Sequence, residues 1–338
     1  MKTFSFLWAA VLLAPILSVC AEEVTEDVPM PPPALSIAYP YPNARLPGIT
    51  NLCCLGAVDG TNGLLTVNGA AVPIHRTGAF LTMVPVKAGT NTITAAWGTN
   101  VLVRSVVVAS VEIAKPSGAR PDRIVHPMPP RDPYKDLGIP TNAVFEVSPP
   151  RSKRISDILV MVDPGHGGDD PGAFSPHMLP EKDVNLMQAR AIRDELRRAG
   201  FKVVMTRDDD VTIPLYDRPK SAWRLKADAF ISVHHNATAP QTDPRQSRHI
   251  TSYGSNARGM PLARAIQKHL GRTLAPIPDM GAQLKSLAVC RNPAVASCLL
   301  EVDFINLPEG EEASWDPTRH TRVAKAVVMG VLDWLMEK

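Results

Sequence analysis

Prolines punctuate one stretch of this chain so densely that no helix or sheet strand fits through it. Residues 116–140 read "PSGARPDRIVHPMPPRDPYKDLGIP", and "SPPRSKR" follows at 148–154. Proline lacks a backbone donor and pushes the residue before it towards extended geometry, so 116–155 reads as a semi-rigid linker. At 338 residues the chain is long for one hydrophobic core. The linker therefore separates two folded parts.

The apolar pattern differs on the two sides of that seam. Over 34–115, runs such as "LLTVNGAAVPI", "GAFLTMVPVKAGTNTITAAW" and "NVLVRSVVVASVEI" alternate apolar and polar residues, with "NG" and "AGTN" marking turns. Period-two patterning predicts a small antiparallel all-β sandwich. Its V-N-G, G-x-F and G-x-N-x-I pattern resembles the immunoglobulin-like accessory modules of exported bacterial carbohydrate-active and cell-wall enzymes.

From residue 156 to 338 strand and helix patterns alternate. "DILVMVD" reads as a buried strand and "DVNLMQARAIRDELRRAG" as a helix closed by Gly200, with Leu186, Ala189, Ile192 and Leu196 on one face. "FKVVMTR", "DAFISVHHN", "LAVCR" and "SCLLEVDF" read as further strands, separated by "SAWRLKA" and "ARGMPLARAIQKHLG" as helices. "RHTRVAKAVVMGVLDWLMEK" closes the chain as a helix. This order predicts an α/β domain with a doubly wound, largely parallel sheet and helices on both faces.

The first residues point to export. Lys2 precedes the apolar run Phe4 to Val19, and "SVCAEE" supplies small residues before an acidic segment, the layout of a signal peptide over 1–21. Pro15 and the run's length argue against a spanning helix, which needs about 20 apolar residues. Two readings of "LSVC" stand: cleavage after Ala21, or lipidation of Cys20 as an envelope anchor. The expected location is the periplasm or cell envelope. Beyond the leader, adjacent Cys53 and Cys54 cannot easily pair and would point to opposite faces of a strand. Cys290 and Cys298 form a disulfide if their strands are neighbours, and are otherwise buried thiols. A net charge of +3 gives no basic stripe for nucleic acid.

Chemistry in open α/β sheets gathers at the carboxyl ends of strands. His166 follows the first strand in "VDPGHGGDD", Glu181 opens the first helix, and His234 ends "AFISVH". Two imidazoles and a carboxylate from separate segments suit tetrahedral Zn²⁺ with one position left for water. Each residue also has an ordinary role: a locally bonded turn histidine, an acid serving the helix dipole, a satisfied strand-end histidine. Glu301, in "SCLLEVDF", is an acid on a buried strand, either paired with an arginine or held as a general base.

Taken together, "VDPGHGGDDPGA", "EKDVNL", "TRDDD", "FISVHHNA" and "LAVCRNPAVASCLLEVDFINLPEGEE" resemble, in order and spacing, the zinc-dependent N-acetylmuramoyl-L-alanine amidases of bacterial cell-wall turnover. The resemblance covers about 156–338 and does not reach the first 150 residues. It implies one Zn²⁺ held by His166, Glu181 and His234, with Glu301 as catalytic base, acting on peptidoglycan at the amide between N-acetylmuramic acid and L-alanine. It places Arg291 on the strand before Glu301, facing substrate, and makes Asn236 of the H-x-N motif a second substrate-binding residue. His235 departs from the family's usual small residue, as a rival ligand, a shaper of substrate entry or a supporting histidine. Pro219 falls where relatives continue a helix, so a helix is expected to start near it.

Some division-associated relatives carry a long self-blocking helix after the H-x-N strand. Here about 20 polar, proline-containing residues, "ATAPQTDPRQSRHITSYGSN", occupy that place, so no obligatory activator is expected. Two rival functions remain open on the residues alone. One is a zinc peptidase cutting within stem peptides; the other is an inactive peptidoglycan-binding regulator.

Overall fold

The computed structural model describes residues 34–110 and 153–337. The expected leader, Cys20 and nearly all of the linker lie outside the described residues.

The N-terminal part contains β1 (Leu35–Tyr39), β2 (Ala44–Leu46), β3 (Asn51–Val58), β4 (Leu65–Val67), β5 (Ala70–Ala71), β6 (Ala79–Pro85), β7 (Gly89–Trp97) and β8 (Asn100–Val108). They form a three-stranded sheet, β1-β3-β6, and a five-stranded sheet, β2-β8-β7-β4-β5. Asn68 and Gly69 both have positive φ between β4 and β5, the tight hairpin that "NG" encodes. Alternation along the strands sends Ile37, Leu52, Cys54 and Phe80 of the smaller sheet against Val67, Ile93, Ala95 and Val106 of the larger. Cys53 and Cys54 do point to opposite faces: Cys54 joins this core, and Cys53 joins a second apolar cluster with Phe304 and Leu307. One pairing departs from the antiparallel expectation. β2, which follows β1 through the turn at 40–43, crosses to the edge of the larger sheet and runs parallel to β8.

The C-terminal part contains β9 (Leu159–Pro164), α1 (Glu181–Arg198), β10 (Lys202–Met205), α2 (Asp217–Arg224), β11 (Ala229–Asn236), α3 (Pro244–Ser247) and β12 (Ile250–Gly254). These are followed by α4 (Gly259–Leu274), β13 (Asp279–Leu284), β14 (Ala296–Phe304), α5 (Pro308–Ser314) and α6 (Pro317–Met336). The sheet order is β10-β9-β11-β14-β12-β13. β10, β9, β11 and β14 are mutually parallel, whereas β12 runs antiparallel to β14 and carries β13 parallel to itself.

Helices cover both faces, but unequally. α1, α4 and α6 bury Ile192, Leu196, Ile266, Leu270, Val327 and Trp334 against Val160, Val162, Ile231 and Leu300. The other face is closed by α2, a 3-10 turn at Ala288–Cys290 and their loops over Met161, Phe230 and Leu299. α1 shows how the sequence sets this up. Glu181 and Asp183 in its first turn and Arg197 and Arg198 in its last complement the helix dipole. At its end the Phe201 N–H donates to the Leu196 carbonyl and the Gly200 N–H to Arg197, a Schellman closure. Pro219 lies in the first turn of α2, as the sequence reading requires.

One expectation is corrected, and two points that the sequence left open are resolved. "LAVCR" is not a strand: Asn292 Oδ1 accepts from the Ala294 and Val295 N–H groups and curls the chain, leaving the 3-10 turn that Arg291 ends. The connection after the H-x-N strand holds the one-turn helix α3, capped by Asp243, and strand β12. Cys290 and Cys298 are both buried free thiols; the Cys290 Sγ lies 3.7 Å from the Tyr253 carbonyl. Leu196→Ala, which opens a void where α1 meets the sheet, is expected to cost about 2–5 kcal/mol in urea unfolding. A change near zero would show that α1 does not anchor this core.

Candidate metal and catalytic site

His166 reaches its position because the chain leaves β9 through Pro164 and Gly165 and turns back at once, with His166 itself at φ 59°. Two buried arginines hold that turn. Arg218 donates to the carbonyls of Pro164 (2.7 Å) and His166 (2.6 Å) and to Asp163 Oδ1 (2.8 Å), and Arg207 donates to the carbonyl of Gly165 (2.8 Å). Asp163 is itself fully buried and accepts further hydrogen bonds from Thr206 and Ser232. Sequence reasoning missed these supports, although Asp163 and Arg207 sit inside the "VDPGHGG" and "TRDDD" segments.

Glu181, at the first position of α1, is 5% exposed. Its Oε2 lies 3.2 Å from His166 Nε2 and accepts from the Ala173 N–H at 3.1 Å. Its Oε1 lies 3.1 Å from His234 Nδ1 and accepts from the Asn185 side chain at 3.0 Å. Burial alone would raise the carboxyl's pKa, but the hydrogen bonds from His166 and His234 outweigh it and hold it well below its ordinary value. His166 Nδ1 faces Asp170 Oδ2 at 2.8 Å, which fixes the ring so that Nε2 looks inward. Burial pulls the His166 pKa down, yet Glu181 and Asp170 together lift it to about 9.

The donor atoms of His166, Glu181 and His234 all lie within 4.8 Å of one another. Bonds of 2.0–2.1 Å in a tetrahedral zinc site separate neighbouring ligand atoms by about 3.3 Å. The two histidine–glutamate separations, 3.2 and 3.1 Å, are of this length, each to a different oxygen of Glu181. The backbone leaves room for this convergence: a Cβ on Gly165 would stand 2.2 Å from the His234 ring, and one on Gly172 would stand 2.6 Å from Glu181 Oε2. The donor set, its spacing and this cradle fit a single tetrahedral cation.

Glu301 lies beside His234 in the register of β11 and β14. Its Oε2 is shut off from solvent and has no hydrogen-bond partner among the described residues. Burial drives its carboxyl up to about 7, partly offset by His234. Among the described residues no arginine pairs with it, so the ordinary reading of Glu301 as half of a buried ion pair finds no support. His235 points away from this cluster, as alternation along a strand requires. It is 2% exposed, its Nδ1 faces Asn185 Oδ1 at 2.9 Å, and burial depresses its pKa to about 3, leaving it neutral. It therefore supports Asn185, which in turn holds Glu181. Asn236 ends β11, and its side chain accepts from the Ala237 N–H at 2.8 Å. Arg291 is not on a strand, and its guanidinium donates twice to Ser286.

A sequence profile of the family described as N-acetylmuramoyl-L-alanine amidase (Amidase_3) matches residues 160–333, which contain this whole constellation. The chain belongs to this family. The germination-specific N-acetylmuramoyl-L-alanine amidase of Bacillus subtilis (strain 168) is 30% identical over 204 residues, 56% of this chain and 84% of that protein. The amidase AmiC of Escherichia coli O6:H1 is 43% identical over 226 residues, and the chain spans about half of AmiC's length, 54%. A crystal structure of the N-acetylmuramoyl-L-alanine amidase from Clostridium difficile 630 aligns with a TM-score of 0.50 at 30% identity, covering 54% of this chain and 98% of that one. In this amidase the arginine scaffold makes a testable claim. Arg218→Leu leaves Asp163 buried without its ion partner, and the account expects a loss of about 3–5 kcal/mol in urea unfolding. A shift below 1 kcal/mol would mean the pair does not hold the His166 turn.

Proposed function

We propose that this amidase works with one Zn²⁺ held by His166, Glu181 and His234, and that Glu301 is its general base and acid. The amidase hydrolyses the N-acetylmuramoyl-L-alanine bond of peptidoglycan, which sets aside the peptidase reading. The observation that carries the catalytic assignment is the solvent-shielded, unpartnered Glu301 carboxylate oxygen beside three converging donors.

When bound, the zinc would polarise the scissile carbonyl and acidify the attacking water. The protein's own residues then carry out the proton traffic. Glu301, with its affinity for a proton raised by burial, accepts the proton of the attacking water and returns it to the departing alanine amine. Asp170 keeps the His166 ring from rotating, and Asn185 does the same for the Glu181 carboxylate. Asn236 and Arg291 are the proposed substrate contacts, Arg291 from the end of the 3-10 turn, where Ser286 holds its guanidinium. An intact donor set with its base also disfavours the inactive-regulator reading.

The finer assignments outside the centre follow from sequence. The two-sheet unit is proposed as an immunoglobulin-like accessory module over 34–115, the linker as 116–155 and the catalytic domain as 156–338. The leader directs export to the periplasm or envelope, where peptidoglycan lies, through cleavage after Ala21 or lipidation at Cys20. The connection after His234 carries only one helical turn before β12, so the enzyme is proposed to act without a displacing partner.

Mass spectrometry of peptidoglycan digests tests this reading. Purified protein alone is expected to release stem peptides with free L-alanine amino termini, and a chelator to abolish release until zinc is restored. Glu301→Gln is expected to lower kcat by about 10²–10⁴-fold while keeping the metal. Unaltered turnover in that variant would remove Glu301 from the mechanism, and dependence on a second protein would overturn the autonomy. A base works deprotonated, so kcat/KM falls as pH falls through the Glu301 pKa. The acid limb is expected between 4.5 and 7, because the cation opposes the burial that lifts the free carboxyl to about 7.

A further inference from the structure

A pocket of about 140 Å³ is built jointly by the two folded parts. One wall is Tyr39 and Leu55 of the small sheet with Tyr41 of the turn after β1; the other is Phe174, Ala237 and Asn306 from the catalytic part. The catalytic wall comes from the segments that build the centre. Ala173, next to Phe174, donates to Glu181; Ala237 continues the strand of His234; Asn306 follows the strand of Glu301. The opposite wall is fixed in place. The Cys53 N–H donates to the Pro240 carbonyl at 2.7 Å, Leu55 and Leu81 pack on Phe304 and Leu307, and Arg76 pairs with Glu312 at 2.6 Å.

The chemistry inside is specific. The walls are apolar and aromatic, with the exposed Tyr41 ring 6.1 Å from Phe174 in an edge-on arrangement. Among them sits the carboxamide of Asn306, 6% exposed. Its Nδ2 donates to Thr238 Oγ1 at 3.1 Å, while its Oδ1 is shut off from solvent and has no partner among the described residues, so a ligand in the pocket completes it by turning the carboxamide towards itself. Flipping the amide merely exchanges which atom is left over, because the Thr238 hydroxyl can donate as well as accept. A buried polar atom without a partner is destabilising unless a ligand completes it. What fits is a small group with an apolar end and one amide.

We propose that this pocket is a subsite for the acetamido group of the amino sugar bearing the scissile bond, so that the accessory sheet forms part of the substrate-binding surface. N-acetylmuramic acid carries that group on the carbon next to its lactyl ether. The methyl meets Leu55 and Ala237, the amide meets Asn306, and the sugar's C–H face meets Tyr41. The inference rests on the amidase reading. An alanine of the stem peptide, which also offers a methyl and an amide, is the competing occupant.

The test uses the full chain and two disaccharide-peptide substrates, one natural and one with a neutral hydroxyl in place of the muramoyl acetamido group. Wild-type kcat/KM is expected to drop about tenfold on the hydroxyl analogue, mainly through KM, as loss of one completed hydrogen bond predicts. Asn306→Leu and the surface variant Tyr41→Ala are expected to lower kcat/KM on the natural substrate about tenfold, with zinc content unchanged, and to erase the discrimination. Equal wild-type rates on both substrates, or variants that slow both alike, would overturn the subsite and favour the peptide. Failure of the wild type to release L-alanyl peptides from either substrate would instead sink the amidase reading, and the subsite with it.

Discussion

The site depends on one buried arrangement, Asp163 pairing with Arg218 while Arg218 and Arg207 hold the carbonyls of Pro164, Gly165 and His166. A turn that places a histidine at positive φ beside a convergence of donors leaves its carbonyls without partners of their own. Guanidinium groups solve this because each offers several donors in a fixed plane. Their charge is tolerable only because Asp163 neutralises Arg218 inside the same buried region. Without it the His166 ring would have no fixed origin, and neither Asp170 nor Glu181 could orient it.

Around that turn the parallel core of the sheet delivers the remaining parts at one end. β11 and β14 run side by side in the same direction, so His234 and Glu301 emerge as neighbours without any loop having to bring them together. α1 presents Glu181 at its N-terminus, where the helix dipole also favours an anionic carboxylate. The rigidity is therefore that of strands and a helix start. The smaller sheet docks on the catalytic part through Cys53, Leu55 and Leu81, and Tyr39 and Tyr41 line a pocket shared between the two.

Much of this was legible in the sequence because local chemistry and fold point the same way. The face of α1 could be read from spacing: Leu186, Ala189, Ile192 and Leu196 are all buried. The convergence of His166, Glu181 and His234 followed from their places at strand and helix ends. The Ala288–Cys290 turn and β12 were not legible. "LAVCR" has the apolar content of a strand, but the Asn292 side chain competes for the backbone just beyond it. β12 lay hidden in a polar, proline-containing stretch, and it pairs antiparallel to β14 where the alternating pattern suggested another crossover. The arginine scaffold was invisible for a different reason. Arg207 and Arg218 look like ordinary surface charges until the fold buries them against carbonyls far away in sequence.

The central claim is that His166, Glu181 and His234 hold one metal with Glu301 beside it. Diffraction from crystals of the purified protein, recorded on both sides of the zinc absorption edge, tests it most directly. The account predicts a single anomalous peak bonded by those three side chains. A peak ligated elsewhere, or protein that turns over peptidoglycan with no metal at this position, would contradict it.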